Sequence, residues 1–242
     1  EDKTMRVLIS GSTGLIGSAL FDDLAAAGHK PGRLVRQASQ GGAAEEGDVA
    51  WSPADGHVDR SALAGFDAVV HLAGESIAGG RWTRAKKDRI LDSRVKGTAL
   101  LAGALAELAS ADRPAVLVSA SAVGYYGDQG DRELAENAPG GKMFLSEVCR
   151  QWESAAAPAA EAGIRVVHPR LGVVLSRRAG ALAAMLRPFR MGLGGPVGAG
   201  RQYISWIALA DAVAAIRFLI DQASLAGPVN ICSPEAVTNA EF

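Results

Sequence analysis

The stretch Met5-Arg6-Val7-Leu8-Ile9-Ser10-Gly11-Ser12-Thr13-Gly14-Leu15-Ile16-Gly17-Ser18-Ala19-Leu20-Phe21-Asp22-Asp23-Leu24 decides the fold. Its first six residues read as a short apolar strand, and Ser18 to Gly28 reads as a helix, with three glycines at a spacing of three between them. In such a turn the first glycine permits a tight bend, the second lets backbone approach a pyrophosphate, and the third lets helix and strand pack closely. The helix start then offers free N–H groups and partial positive charge to phosphate. A glycine triplet alone is weak evidence, but here it follows an apolar strand, opens a helix and lies near the N-terminus, as a dinucleotide site requires. Gly11, Ser12, Thr13, Gly14, Leu15, Ile16 and Gly17 are therefore the expected cofactor cradle.

Working outward, Arg33 to Arg36 reads as a second strand, followed by a Gly-, Ala- and Glu-rich loop from Gln37 to Gly47. An acidic residue near that strand end binds the ribose hydroxyl of NAD, whereas arginine accommodates the 2′-phosphate of NADP, so Arg36 points to NADP, with NADPH preferred over NADH. Val49-Ala50-Trp51 reads as a short third strand whose Trp51 either lies against adenine or caps the core. Phe66 to Gly74 is a continuous apolar run, as a sheet buried on both faces needs, and small residues at its end let Leu72, Ala73 and Gly74 approach the cofactor. A striped helix is expected from about Thr83 to Leu108, then a strand at Ala115 to Ser119 after Pro114. The segment from Ser119 to Gly127 gathers Ser119, Ser121, Tyr125 and Tyr126 where a doubly wound enzyme places its chemistry. A helix from Lys142 to Ala162 is expected to kink or break at Pro158. A strand at Arg165 to His168, an apolar stretch at Leu171 to Leu175 and a glycine-crowded loop around Pro196 follow, the last fitting a substrate-side lobe.

Composition bounds the remaining possibilities. With 242 residues, 48% of them hydrophobic, one large core is expected. A net charge of −1 marks no surface for nucleic acid or anionic membrane. No apolar run reaches the roughly 20 residues a membrane span needs, and Cys149 and Cys232 form no close pair, so a cytoplasmic setting is expected. His29, His57, His71 and His168 lack metal-ligand spacing, and no metal is expected. Residues preceding Met5 and the apparent helix start at Thr238 to Phe242 suggest a piece of a longer chain. The oligomeric state is not encoded legibly.

Together, the Gly-x-x-Gly-x-x-Gly turn, His71-Leu72-Ala73-Gly74, the serine-bearing strand end and Ile204-Ser205-Trp206-Ile207 with Asp211 resemble an extended short-chain dehydrogenase/reductase. More narrowly, Arg81-Trp82-Thr83, Ser93-Arg94-Val95, Val123 to Gly127, Gly172 to Leu175 and Pro188 to Pro196 resemble its atypical YfcH-like branch. Members of that branch are called NAD-dependent epimerase/dehydratase, and some SulA-type cell-division inhibitors. The resemblance implies an α/β, Rossmann-like doubly wound fold with a seven-stranded parallel sheet. Residues 5–170 would form the NAD(P)-binding part, and 171–242 a partial substrate lobe interleaved with the last strands. It also implies a small-molecule substrate, additional domains in some relatives, Arg94 and Ser119 facing the cofactor, and His168 and Arg170 following the sixth strand near where relatives hold nicotinamide and substrate, His168 among the cofactor-binding residues.

Ser121 matches the parent superfamily's serine, but aligning Glu153 with its customary glutamate puts Leu145 at the proton-donating tyrosine and Cys149 at the lysine. Leucine has no proton to transfer, and cysteine brings no positive charge. Ala208 stands where relatives often carry histidine. Two expectations follow. In one, Tyr125 or Tyr126 substitutes beside Ser121 in an oxidoreductase or epimerase/dehydratase; in the other, the chain is a non-catalytic NADPH-binding redox-sensing or assembly module.

Overall fold

The computed structural model describes residues 4–36 and 47–242. Residues 1–3 and 37–46, which hold most of the expected linker tail and most of the loop after the second strand, lie outside the described residues. The chain runs β1 (Arg6–Ser10), α1 (Leu15–Ala26), β2 (Lys30–Arg36), β3 (Val49–Ser52), β4 (His57–Val58), α2 (Arg60–Leu63) and β5 (Ala68–His71). It continues α3 (Arg84–Ala106), β6 (Val116–Ser119), β7 (Ser121–Ala122), α4 (Phe144–Ser154), α5 (Ala157–Glu161), β8 (Arg165–Leu171) and β9 (Val173–Leu175). The last elements are α6 (Gly180–Arg190), β10 (Tyr203–Ile204), β11 (Trp206–Ala208), α7 (Leu209–Asp221), β12 (Gly227–Ile231) and β13 (Val237–Thr238).

Among the described residues, seven strands pair in parallel in the order β12-β8-β6-β5-β1-β2-β3. β4 adds an antiparallel edge to β3, and β7 extends the pairing beside β8. From β1 the chain winds outward to β2 and β3, then crosses to β5 and β6 on the other side. The strand order thus reverses between β1 and β5, and the crevice outside their carboxyl ends is where such sheets bind ligands.

Strand alternation explains why both faces are covered. Leu8, Val69 and Leu117 point into a core with Leu63, Leu101, Leu105 and Ala159, under α2, α3 and α5. Val7, Ile9, Val70 and Val118 point to the other face, against Leu20, Leu24, Ile216 and Leu219 of α1 and α7. Arg113 donates to the carbonyls of Ala106, Leu108 and Ala162, and Arg165 to those of Leu219, Ile220 and Leu225. Each guanidinium thereby satisfies carbonyls that helix ends leave without partners, and its charge suits the negative end of the dipole.

The expected Lys142–Ala162 helix is broken into α4 and α5 at Ala155 and Ala156, with Pro158 accommodated in the first turn of α5, where no intrahelical N–H is needed. α1 begins at Leu15 rather than Ser18, because Gly14 already occupies the cap position. Beyond residue 171 the chain returns to the large sheet through β12, covers it with α7, and forms two small sheets, β9 with β11 and β10 with β13. No helix among the described residues is long and apolar enough to cross a membrane.

Candidate cofactor and active site

The turn after β1 is shaped by its glycines. Gly11 adopts φ +68°, and a Cβ there would stand 2.9 Å from the Leu72 carbonyl carbon, so two strand-end loops meet at that backbone. A Cβ on Gly17 would overlap the Gly11 carbonyl oxygen. Gly14 caps α1 with no side chain, which leaves the first-turn N–H groups facing outward beside exposed Thr13. Ser12 is buried, and Leu15 and Ile16 are half-buried at the helix start. A pyrophosphate fits this arrangement: small backbone, uncapped donors and the positive end of a twelve-residue helix.

The loop after β5 is latched to the same turn. Ser10 Oγ accepts from the Leu72 and Ala73 N–H groups at 3.0 and 3.2 Å and donates to His71 Nδ1 at 2.6 Å. His71 is fully buried, and desolvation lowers its pKa to about 4, so its ring is neutral. Its Nε2 has no hydrogen-bond partner among the described residues; the imidazole instead meets Trp51 edge to face at 5.7 Å. Trp51 is 2% exposed and packs in the α3-side core. This corrects its assignment as a cofactor residue, since burial leaves no ring face for adenine.

Gly74 is exposed, and a Cβ there would lie 3.3 Å from the Arg94 guanidinium carbon. Arg94 Nη1 donates to the carbonyls of Glu75 and Ile90, while the guanidinium lies 5.0 Å from the Trp152 ring centre. Arg36 is exposed at the carboxyl end of β2, next to the β1 turn in the sheet.

Beyond β6 lies a buried polar network. Ser121 Oγ donates to Glu153 at 2.6 Å, and Glu153 receives Arg170 through Nε and Nη2, both at 2.9 Å. Arg170 Nη1 donates to Tyr126 Oη, and Tyr126 donates to Asn230 Oδ1 at 2.7 Å. Burial pushes the Glu153 carboxyl up, but the hydrogen bonds from Arg170 and Ser121 and nearby positive charge outweigh it, holding the group below its ordinary value. His168 donates through Nδ1 to the Ser119 carbonyl, and desolvation lowers its pKa despite the charge of Glu153. Ser119 Oγ is buried with no hydrogen-bond partner among the described residues.

The two tyrosines therefore differ. Tyr126 is 3% exposed with its phenol engaged by Arg170 and Asn230, which corrects its expected role as a free proton donor. Tyr125 is half-buried with its ring 3.5 Å from the Arg170 guanidinium carbon and its hydroxyl hydrogen-bonded to none of the described residues. Leu145 packs against Gly124 in the turn that carries Tyr125. Cys149 is buried; desolvation raises its pKa, so the thiol stays neutral. Among the described residues no group of three or more His, Cys, Asp or Glu is placed to hold a metal. Sequence reasoning missed Ser10 and Asn230 and left Glu153 as an alignment marker. A serine or arginine inside an otherwise apolar strand was the available signal.

Known proteins resemble the chain over nearly its whole length. Epimerase family protein MT2273 of Mycobacterium tuberculosis is 48% identical over 236 residues, covering 98% of this chain and 76% of that protein. The crystal structure of human epimerase family protein SDR39U1 (isoform 2) with NADPH superposes with a TM-score of 0.84 at 36% identity, over 98% of this chain and 77% of the human one. The nucleoside-diphosphate sugar epimerase structure from Corynebacterium glutamicum gives a TM-score of 0.83 at 38% identity over 98% of this chain; the chain spans 48% of that longer protein. The family model described as NAD dependent epimerase/dehydratase matches residues 7–232. With a Rossmann-like NAD(P)-binding fold, a glycine cradle at the strand-order reversal and these relatives, the chain belongs to the NAD dependent epimerase/dehydratase family.

Proposed function

We propose that this chain binds NADPH across the carboxyl edge of the sheet and serves as an oxidoreductase or epimerase/dehydratase for a small molecule, within the YfcH-like branch of its family. The observation that carries the reading is the uncapped α1 start above Gly11 and Gly17, with Arg36 exposed at the adjoining end of β2 to meet a 2′-phosphate. The NADPH in the human SDR39U1 structure supports the same cofactor. Ser12, Thr13, Leu15 and Ile16 would line the phosphates, and Leu72, Ala73 and Gly74 would meet the cofactor from β5. Ser119 and His168 would border it at the end of β6. Bound NADPH would supply hydride chemistry at its nicotinamide ring.

In this reading residues 5–170 hold the cofactor and residues 171–242 form part of the substrate side. Ser121, buried with its own proton given to Glu153, fixes that carboxylate beside the turn that carries Tyr125 and so positions the proton donor. Tyr125, whose hydroxyl is not held by the described residues, is the proton donor; Tyr126 braces Arg170. The free thiols of Cys149 and Cys232 suit a reducing compartment such as the cytoplasm.

The test is calorimetry followed by turnover. NADPH binds more tightly than NADH, and Arg36→Ala erases the difference; equal affinities in the unaltered chain would sink the NADP assignment. With NADPH bound, a panel of nucleotide sugars, quinones and small carbonyls yields turnover that Ser121→Ala and Tyr125→Phe each lower by about 100-fold or more. Tight binding with no turnover on any member would instead favour a non-catalytic module.

A further inference from the structure

The site as described lacks a cation where the parent superfamily keeps lysine, because Cys149 stands there as a buried neutral thiol. A cationic side chain of another element reaches the helix that carries Cys149, at Trp152. Arg94 leaves α3 beside Gly74 of the loop after β5, and its guanidinium lies over the ring of Trp152 of α4. α4 packs on β7 and on the turn carrying Tyr125, so this corner lies on the β6 side of the strand-order reversal. The 2′-phosphate reading of Arg36 puts the adenine half on the opposite, β2 side. A dinucleotide laid across the reversal would run from Arg36 toward the corner that holds Arg94.

Arg94 is also incompletely satisfied. Nη1 donates to two backbone carbonyls, but Nε and Nη2 donate to nothing among the described residues, and neither is sealed from solvent. No carboxylate among the described residues forms an ion pair with it; the nearby Glu75 carboxylate is held by Lys86 at 2.9 Å and approached by Arg89 at 3.7 Å. Half-buried positive charge with open donors is a receptor for oxygen or negative charge and repels a second cation.

We propose that Arg94 is the cation of the nicotinamide end of the site, replacing the lysine absent at Cys149, and that its charge makes the site prefer NADPH over NADP+. The reduced ring is neutral and the oxidised ring carries a positive charge, so a fixed guanidinium beside it discriminates between the two. The inference rests on the NADPH reading above.

The test measures affinities of NADPH, NADP+ and 2′,5′-ADP, which lacks the nicotinamide half, for the unaltered chain, Arg94→Met, Arg94→Lys and Arg36→Ala. The unaltered chain binds NADPH about tenfold more tightly than NADP+. Arg94→Met weakens NADPH by about tenfold, abolishes the redox preference and leaves 2′,5′-ADP binding intact, whereas Arg94→Lys retains most of the preference. Arg36→Ala weakens NADPH and 2′,5′-ADP together. Unchanged affinities in Arg94→Met, or parallel loss of 2′,5′-ADP in both Arg94 variants, would overturn the proposal. An unaltered chain that binds 2′,5′-ADP and NADPH equally and ignores redox state would overturn it while sparing the cofactor reading; one that binds none of the three would overturn both.

Discussion

Glu153 and Arg170 meet through two hydrogen bonds of 2.9 Å, and the arginine side chain is only 3% exposed. Removing one partner strands the other charge away from water, so Glu153→Ala is expected to cost about 3–5 kcal/mol in urea unfolding. Arg170→Met costs a similar amount, and the double variant loses less than the sum because neither charge is left alone. Strict additivity would show that the pair is not coupled. Turns that follow from local spacing were legible before the fold was known: the glycines at 11, 14 and 17 shape the turn between β1 and α1. The Ser10–His71 pair spans 61 residues and is brought together by the register of β1 and β5, and the Glu153–Arg170 pair spans 17 and is brought together by the packing of α4 at the end of the sheet. Trp51 was ambiguous for the same reason, since a strand-end aromatic can face core or crevice until α3 is placed.

β1 and β5 are joined at their carboxyl ends by the Ser10–His71 hydrogen bond, and this makes the join sensitive to acid. The His71 pKa in the fold is about 4, against 6.5 for the free side chain. Between these values the unfolded chain takes up a proton that the folded chain refuses, so stability present above pH 6.5 is lost as pH falls toward 4. The full loss is about 3 kcal/mol, and His168, also lowered by burial, adds in the same direction. Unfolding by urea at pH 7.5 and 5.0 should show the decline, and His71→Asn should flatten it; an unchanged slope in that variant would locate the effect elsewhere. At this scale the alternation of strands and helices up to β8 was readable from apolar runs and breakers. The α4–α5 break was placed only through Pro158, although the proline belongs to the start of the second helix. α7 carries apolar positions at helical spacing, Ala212, Val213, Ile216, Leu219 and Ile220, a pattern present in the sequence beyond the glycine-rich loop.

For the whole molecule, a ligand that binds only the folded chain stabilises it by mass action. At about 100 times its Kd, NADPH adds about 2.7 kcal/mol. For a chain of this size that raises Tm by about 5–10 °C, and NADH at the same concentration raises it less. Equal shifts, or none, would contradict the cofactor assignment. The packing of α7 has a consequence for synthesis. α7 closes the face of β1 shared with α1, and Arg217 reaches back to Asp23 across 194 positions at 3.0 Å. The central strand is made among the first residues, yet its apolar side keeps an open flank until residues 209–221 have been translated. A ribosome-bound chain halted at β9 would therefore present Val7, Ile9, Val70 and Val118 without that cover, and chaperone capture should be strongest there and fall once α7 emerges.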